Sequence, residues 1–442
     1  MNLAQLDTRF IPPFLVPVRF FITAPLFALL AGLLLIWQGE MISLSRWAPA
    51  TLAFVHLLTL GVLLMNMTGA VMQVLPVLHG QAFPGIRWLP HTLHLLLSAG
   101  CLLLTGAFIW GDGGLFFWAG ILLSLHIALF TFNLLKSIGN PFKAGFSAQA
   151  MVLAAALLLL TLFSGLGLLG GYLPDGQALD KSFTQLHLTL ALKGWSLLLI
   201  FAVAQQVIPM FHVTPDFPRW LVRFWPWSYS ACLLAYTLSL YASTPVLAVI
   251  FQGLELLLSS ALAVLILRLI QQRKRKIPDS TRACWQLGWS FLLLGNGLLA
   301  VSPFWPEGAE NLLHWWLGCC WLVGFILTVI SGMLLKIMPF LSYLHLQQQA
   351  GMHMQAMMLV PNMHQLLEQK HSLWFFRVWL VLLGSFLLAP LALTLTRLAG
   401  LCLMVSAMFL LGLLLNCVYR YRRYQQDIQQ AIEQEGYEAG AL

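Results

Sequence analysis

Residues 56 to 76 read His56-Leu-Leu-Thr-Leu-Gly61-Val-Leu-Leu-Met65-Asn-Met-Thr-Gly69-Ala-Val-Met-Gln73-Val-Leu-Pro76. Nothing in the run carries a fixed charge, and at about 1.5 Å per residue a helix of this length crosses roughly 30 Å of hydrocarbon. Its last four residues recur. Gln73-Val-Leu-Pro76 is followed by Gln206-Val-Ile-Pro209 and Lys336-Ile-Met-Pro339, and seven residues before each proline stands a small residue, Gly69, Ala202 or Gly332. The prolines are 133 and 130 residues apart, close to a third of the 442-residue chain. A period that long marks an internal repeat of whole structural units. It divides the chain into pseudo-repeats at 1–140, 141–278 and 279–423, with a polar cytoplasmic tail at 424–442.

Composition places all three units in a membrane. The chain is 60% hydrophobic and 9% charged, with a mean hydropathy of +0.84, whereas soluble domains are roughly 45–50% apolar and about 25% charged. Apolar stretches long enough to span fall near 14–37, 50–77, 89–109, 114–136, 147–172, 185–211, 219–243, 245–270, 283–301, 312–340, 373–396 and 398–420. The expectation is therefore an all-α polytopic protein of about twelve transmembrane helices, four to a repeat. The ten-residue alternating segments of a membrane barrel are missing.

The net charge of +8 points to orientation rather than to nucleic acid, because the basic residues sit between apolar segments instead of on one face. With both termini cytoplasmic, 19 of the 23 lysines and arginines fall on the inner side; Arg46, Lys181 and Arg397 lie outside and Lys193 within the membrane. The first segment follows a polar stretch with Asp7 and Arg9, lacks a cleavage site, and is expected to stay in the mature chain. All seven cysteines fall in apolar segments with no CxxC pair, which argues against disulfides and thiolate zinc sites.

Chemistry is carried by histidine. His56, His187 and His314 lie 20, 22 and 25 residues before the three prolines, near the outer ends of helices two, six and ten. Ionisable groups inside a membrane helix are costly and mark ligand or proton sites. Neutral imidazole ligates haem iron and copper. The same residues each have a plainer use, bonding a neighbouring carbonyl. At 100° per residue the offsets do not superpose, so the pattern alone leaves open whether the three point at one centre.

Other candidates are weaker. His91, His94 and His126 are read as bonded structural histidines, and His79 and His212 as anchors three residues beyond their prolines. Lys193 and Glu255, deep in helices six and eight, are candidates for a buried pair. The inner loop bearing His345, Met352, His353, Met354, Met357, Met358, Met363, His364 and His371 suits either Cu(I) or, preferably, an interfacial helix. No phosphate loop, catalytic triad or HExxH is present.

In helix count, in four-helix units and in the placement of these histidines, the chain resembles the haem-copper oxidase subunit I superfamily and the NnrS-type membrane proteins of the nitric oxide response. The residues that carry the likeness are His56 in His56-Leu-Leu-Thr-Leu-Gly61, His187 followed by Gly194-Trp195, and His314. The resemblance implies that His56 and His314 are axial ligands of a b-type haem and that His187 occupies a copper-ligand position. It implies further a bacterial inner membrane, an external electron donor, and a role in nitric oxide or small-gas response or in electron transfer. Three departures argue against a complete oxygen-reducing centre. Helix seven, Arg219 to Ala242, has no histidine pair; Trp315 and Trp316 follow His314; and Ala191 stands where the cross-linked tyrosine is expected. Any enzyme activity would be that of an oxidoreductase. The alternatives are a secondary transporter, although those are usually built on twofold repeats, or a factor that assembles haem or copper into another enzyme.

Overall fold

The computed structural model describes residues 12–79, 83–173, 176, 178–274 and 277–440. Asp7 and Arg9, and the inner-loop cations Arg275 and Lys276, lie outside the described residues, as does the side chain of His79. The described chain is helical, with no strand. Its long helices are α1 (Leu15–Leu44), α2 (Pro49–Pro76), α3 (Leu89–Trp110), α4 (Gly113–Ile138), α5 (Phe146–Gly170), α6 (Ser182–His212), α7 (Arg219–Tyr241), α8 (Pro245–Gln271), α9 (Ser280–Val301), α10 (Glu310–Ala350), α11 (Gln369–Leu388) and α12 (Leu393–Gly440). Eleven of them are long and apolar enough to cross a membrane. The exception is α7, where Arg219, Arg223, Ser228 and Ser230 dilute the apolar run. Two expected boundaries also move: α10 runs on to Ala350, and the tail is not separate but continues α12 without a break.

The outward surfaces are those of a protein in lipid. Leu95, Phe132, Val246 and Leu257 are more than 60% exposed, while exposed tryptophans gather at the two ends of the bundle. Trp37, Trp110 and Trp118 lie at the end that carries His56, and Trp88, Trp220 and Trp374 at the end that carries the prolines. Such paired belts match the preference of indole for the membrane interfaces.

α2, α6 and α10 share an irregularity. Each contains a segment of wide π-helical turn, at Leu57–Leu64, Thr189–Ser196 and Cys319–Leu327. The three segments begin 19 or 20 residues before Pro76, Pro209 and Pro339, so they share the register that the prolines define. Gly61, Gly194 and Gly324, each 15 residues before its proline, lie inside them. Hydroxyls meet the altered bonding: Ser196 Oγ donates to Ala191 O at 2.7 Å and Thr328 Oγ1 to Val323 O at 2.9 Å, each five residues back. The π segments of α2 and α6 both pack against that of α10, the most enclosed long helix. π turns are rare and frequent at functional sites.

α1 and α12 close the bundle through small residues, as membrane helices do when packing rather than water drives association. A Cβ on Gly400 would stand 2.8 Å from Gly32 O, and one on Gly32 2.8 Å from Gly400 O, in both cases against backbone that cannot rotate away. Gly400→Val should therefore cost at least about 1–3 kcal/mol. The expected readout is a lower denaturation midpoint in detergent; an unchanged midpoint would mean that the two helices separate freely.

At the proline end, Asp279 caps α9 and ties three helices together. Its Oδ1 accepts Thr281 N at 3.0 Å, while Oδ2 stands 3.3 Å from Lys336 Nζ and 3.5 Å from His212 Nδ1. Burial alone would raise this carboxyl, but His212 and the Lys336 ammonium outweigh it and hold the group well below the ordinary carboxylate range. A depressed folded pKa contributes stability above the unfolded value, near 3.9 for aspartate, and that stability is lost as pH falls through the folded value. Wild-type protein should thus lose stability on acidification below about pH 4 more steeply than Asp279→Asn, as read from denaturation midpoints across pH.

Candidate functional site: a two-histidine cavity

α2, α3, α4, α5 and α6 enclose a cavity of about 190 Å³ near the histidine end of the bundle. Its walls are largely leucine and aromatic. Phe108 lies 5.5 Å from the His56 ring, and Tyr172 packs edge-on to Phe108 and stacked on Phe116. Among the described residues no acidic side chain lines it, and Lys181 is the one lining cation. Trp47 stands at its rim, with Arg46 at 4.2 Å and Lys181 at 5.3 Å from the indole.

His56 and His187 both face this space. Their ring centres are 6.3 Å apart and their planes 28° from parallel. His56 Nδ1 donates at 2.7 Å to Leu52 O, one turn back on α2, and His187 Nδ1 donates at 3.0 Å to Thr161 O on α5. A carbonyl only accepts, so each Nδ1 carries the proton and each Nε2 keeps its lone pair. No protein partner engages either Nε2 among the described residues. Metal-ligating histidines also have their far nitrogen held by a carbonyl that fixes tautomer and orientation, so the pair is a candidate to hold a metal.

Gly165 makes room for it. A Cβ there would stand 2.9 Å from His187 Cε1 and 3.2 Å from Nδ1. Gly165→Ala should therefore turn the His187 ring off its carbonyl and weaken any metal bound by the pair about 10–100-fold, the usual cost of losing such support. Metal titration of purified protein reads this directly, and an unchanged affinity would show that the ring has other room.

His314 is elsewhere. It lies in the first turns of α10, with Arg46 and Glu310 as its charged neighbours, and its Nδ1 is buried without a hydrogen bond. No ring contact or hydrogen bond joins it to His56 or His187, and among the described residues no three histidine, cysteine, aspartate or glutamate side chains are grouped to hold a metal. The three histidines thus do not share one centre. The π segments keep a common register, but the histidines precede them by different amounts.

Several of the remaining histidines have partners, whereas His345 Nε2 and His371 Nδ1 are buried without a hydrogen bond. His126 Nδ1 bonds Leu93 O at 2.9 Å, His94 Nε2 pairs with Thr23 Oγ1 at 2.8 Å, and His91 Nδ1 meets Arg19. His353 pairs with Glu435 at 3.1 Å. Around it the methionine-rich loop forms two short helices, Met354–Met358 and Met363–Leu366, instead of one interfacial helix, because Asn362 starts a new capping box between them. All seven cysteines are unpaired. Sequence reasoning passed over Phe108, Phe116, Tyr172 and Gly165; only Gly165, in the run Ser164-Gly-Leu-Gly-Leu-Leu-Gly170, carries a signal of close approach.

No family model matches the chain, and no curated protein matches it.

Proposed function

We propose that the chain is a twelve-span membrane metalloprotein of three four-helix repeats, in which His56 and His187 would hold a haem iron. The carrying observation is the pair of free Nε2 atoms across an apolar cavity. The ring centres stand 6.3 Å apart, near enough for both imidazoles to reach one metal at the usual nitrogen–metal distance of about 2 Å. Haem needs only two protein ligands and favours apolar, aromatic walls. Held there, it would supply one-electron chemistry. That, with the likeness to haem-copper oxidase subunit I and NnrS-type proteins, supports a role in nitric oxide or other small-gas handling, or in electron transfer. The positive-inside pattern supports both termini being cytoplasmic, and the likeness supports a bacterial inner membrane.

Copper held by the same two imidazoles is the second reading, and the cavity volume favours it. A cavity of roughly 150 Å³ accepts benzene, so about 190 Å³ admits a metal ion with a small ligand, while a porphyrin requires lining leucines to move. The test is a reduced-minus-oxidised optical spectrum of detergent-purified protein together with its iron and copper content. A Soret band supports haem, stoichiometric copper without one supports the second reading, and the absence of both overturns the proposal.

A further inference from the structure

At the histidine end of the bundle, one loop ties the starts of α6 and α10 together. Asn311 Nδ2, in the first turn of α10, donates to Leu44 O at 2.6 Å, and Trp47 Nε1 donates to Thr184 Oγ1 on α6 at 3.4 Å. The segment between α1 and α2 is thereby clamped between those two helices, and it carries Arg46 and Trp47. The Trp47 ring meets the Arg46 guanidinium at 4.2 Å and the Lys181 ammonium at 5.3 Å. His314 lies near enough to feel the charge of Arg46.

These cations have nothing to balance them. Among the described residues, Arg46, Lys181 and Arg397 are the lysines and arginines at this end, and the first two share one indole. Lys193, deeper in α6, is matched to Glu255 at 2.6 Å. Neither Arg46 nor Lys181 has such a partner among the described residues. The carboxylates beside Lys181 and His314 are turned to backbone instead: Asp180 Oδ1 accepts Ser182 N at 2.9 Å, and Glu310 Oε1 accepts Gly308 N at 3.0 Å. Arg46 Nε and His314 Nδ1 are both buried without a hydrogen bond. A charged donor left buried and unbonded is costly. An indole face holds a cation in place without neutralising it.

We propose that Arg46, Lys181 and His314 form a binding site for the carboxylate or phosphate group of a ligand that approaches the cavity from the histidine end. The planar Arg46 fork matches two oxygens of one anion, Lys181 adds a point charge, and His314 adds a donor in the tautomer with its proton on Nδ1. Trp47, Lys181 and Thr184 line the cavity rim, so the anion stands at the entrance. The same group is carried by free solutes and by the headgroups of anionic lipids, which share the depth of the tryptophan belt. The site does not depend on what the cavity holds, and it gives His314 a role apart from His56 and His187.

The test uses full-length protein as purified. Calorimetric titration in detergent with inorganic phosphate and with benzoate reads a free anion. Native mass spectrometry from phosphatidylcholine nanodiscs, with and without phosphatidylglycerol, reads a retained headgroup. Wild-type protein should bind through one of these arms, and the affinity should fall about tenfold or more in Arg46→Gln and in Lys181→Gln. Lys181 is exposed, so its variant keeps the test open if Arg46→Gln does not fold. Arg397→Gln, exposed on α12, should leave binding unchanged. Wild-type protein that retains none of the probes, or binding that survives both variants, overturns the proposal. Anion binding by protein that takes up neither haem nor copper overturns the metal reading and supports this one.

Discussion

His187→Ala should abolish the metal-dependent absorption of the purified protein, His56→Ala should do the same, and His314→Ala should leave it in place. The first two would remove one of the two proposed ligands from a cavity whose other described polar side chains, Thr59, Thr161, Thr184, Ser196, Tyr172, Trp47, Trp195 and Lys181, include no donor of comparable strength. None of these substitutes for an imidazole. Loss of even an outer partner of a ligating histidine costs about 10–100-fold in affinity, so loss of the imidazole itself should exceed that. His314 sits beside Arg46, outside the lining of the cavity. The opposite pattern, absorption lost with His314 and kept without His187, would restore the ligand set that resemblance to the oxidases implies and would reject the cavity as the metal site.

The second large effect concerns the buried ion pair. Lys193→Met alone leaves the Glu255 carboxylate without its cation in a fully buried position, with Tyr229 as its remaining side-chain partner. Breaking a buried pair in this way costs about 3–5 kcal/mol, whereas replacing both members with apolar residues of similar size is often neutral. Lys193→Met should therefore sharply lower the denaturation midpoint in detergent, and adding Glu255→Leu should recover most of the loss. The double-mutant cycle isolates the coupling. If the two effects simply add, the charges do not depend on one another and the 2.6 Å contact is incidental.

Much of the architecture was legible from residue type alone. Runs such as 56–76 are too apolar and too long to serve any solvent but lipid, and the recurring prolines expose the repeat because a proline near a helix end leaves the same mark wherever it falls. The Lys193–Glu255 pair was legible as a candidate for a simpler reason: two opposite charges placed in hydrocarbon have few other partners to find. Tyr229 was not, since nothing in Trp225-Pro-Trp-Ser-Tyr229 says which neighbour its hydroxyl meets.

Which histidines meet was settled only in three dimensions. Offsets of 20, 22 and 25 residues from the prolines give three different directions on straight helices, and the π turns that lie between histidine and proline change the phase again. The carbonyl that holds His56 is local, one turn back at Leu52, but the one that holds His187 belongs to α5 and is reached only because Gly165 lets α5 and the imidazole come together. Apolar composition specifies that these helices cross a membrane. It does not specify their rotation about their own axes, which depends on how side chains from five helices fill the space between them.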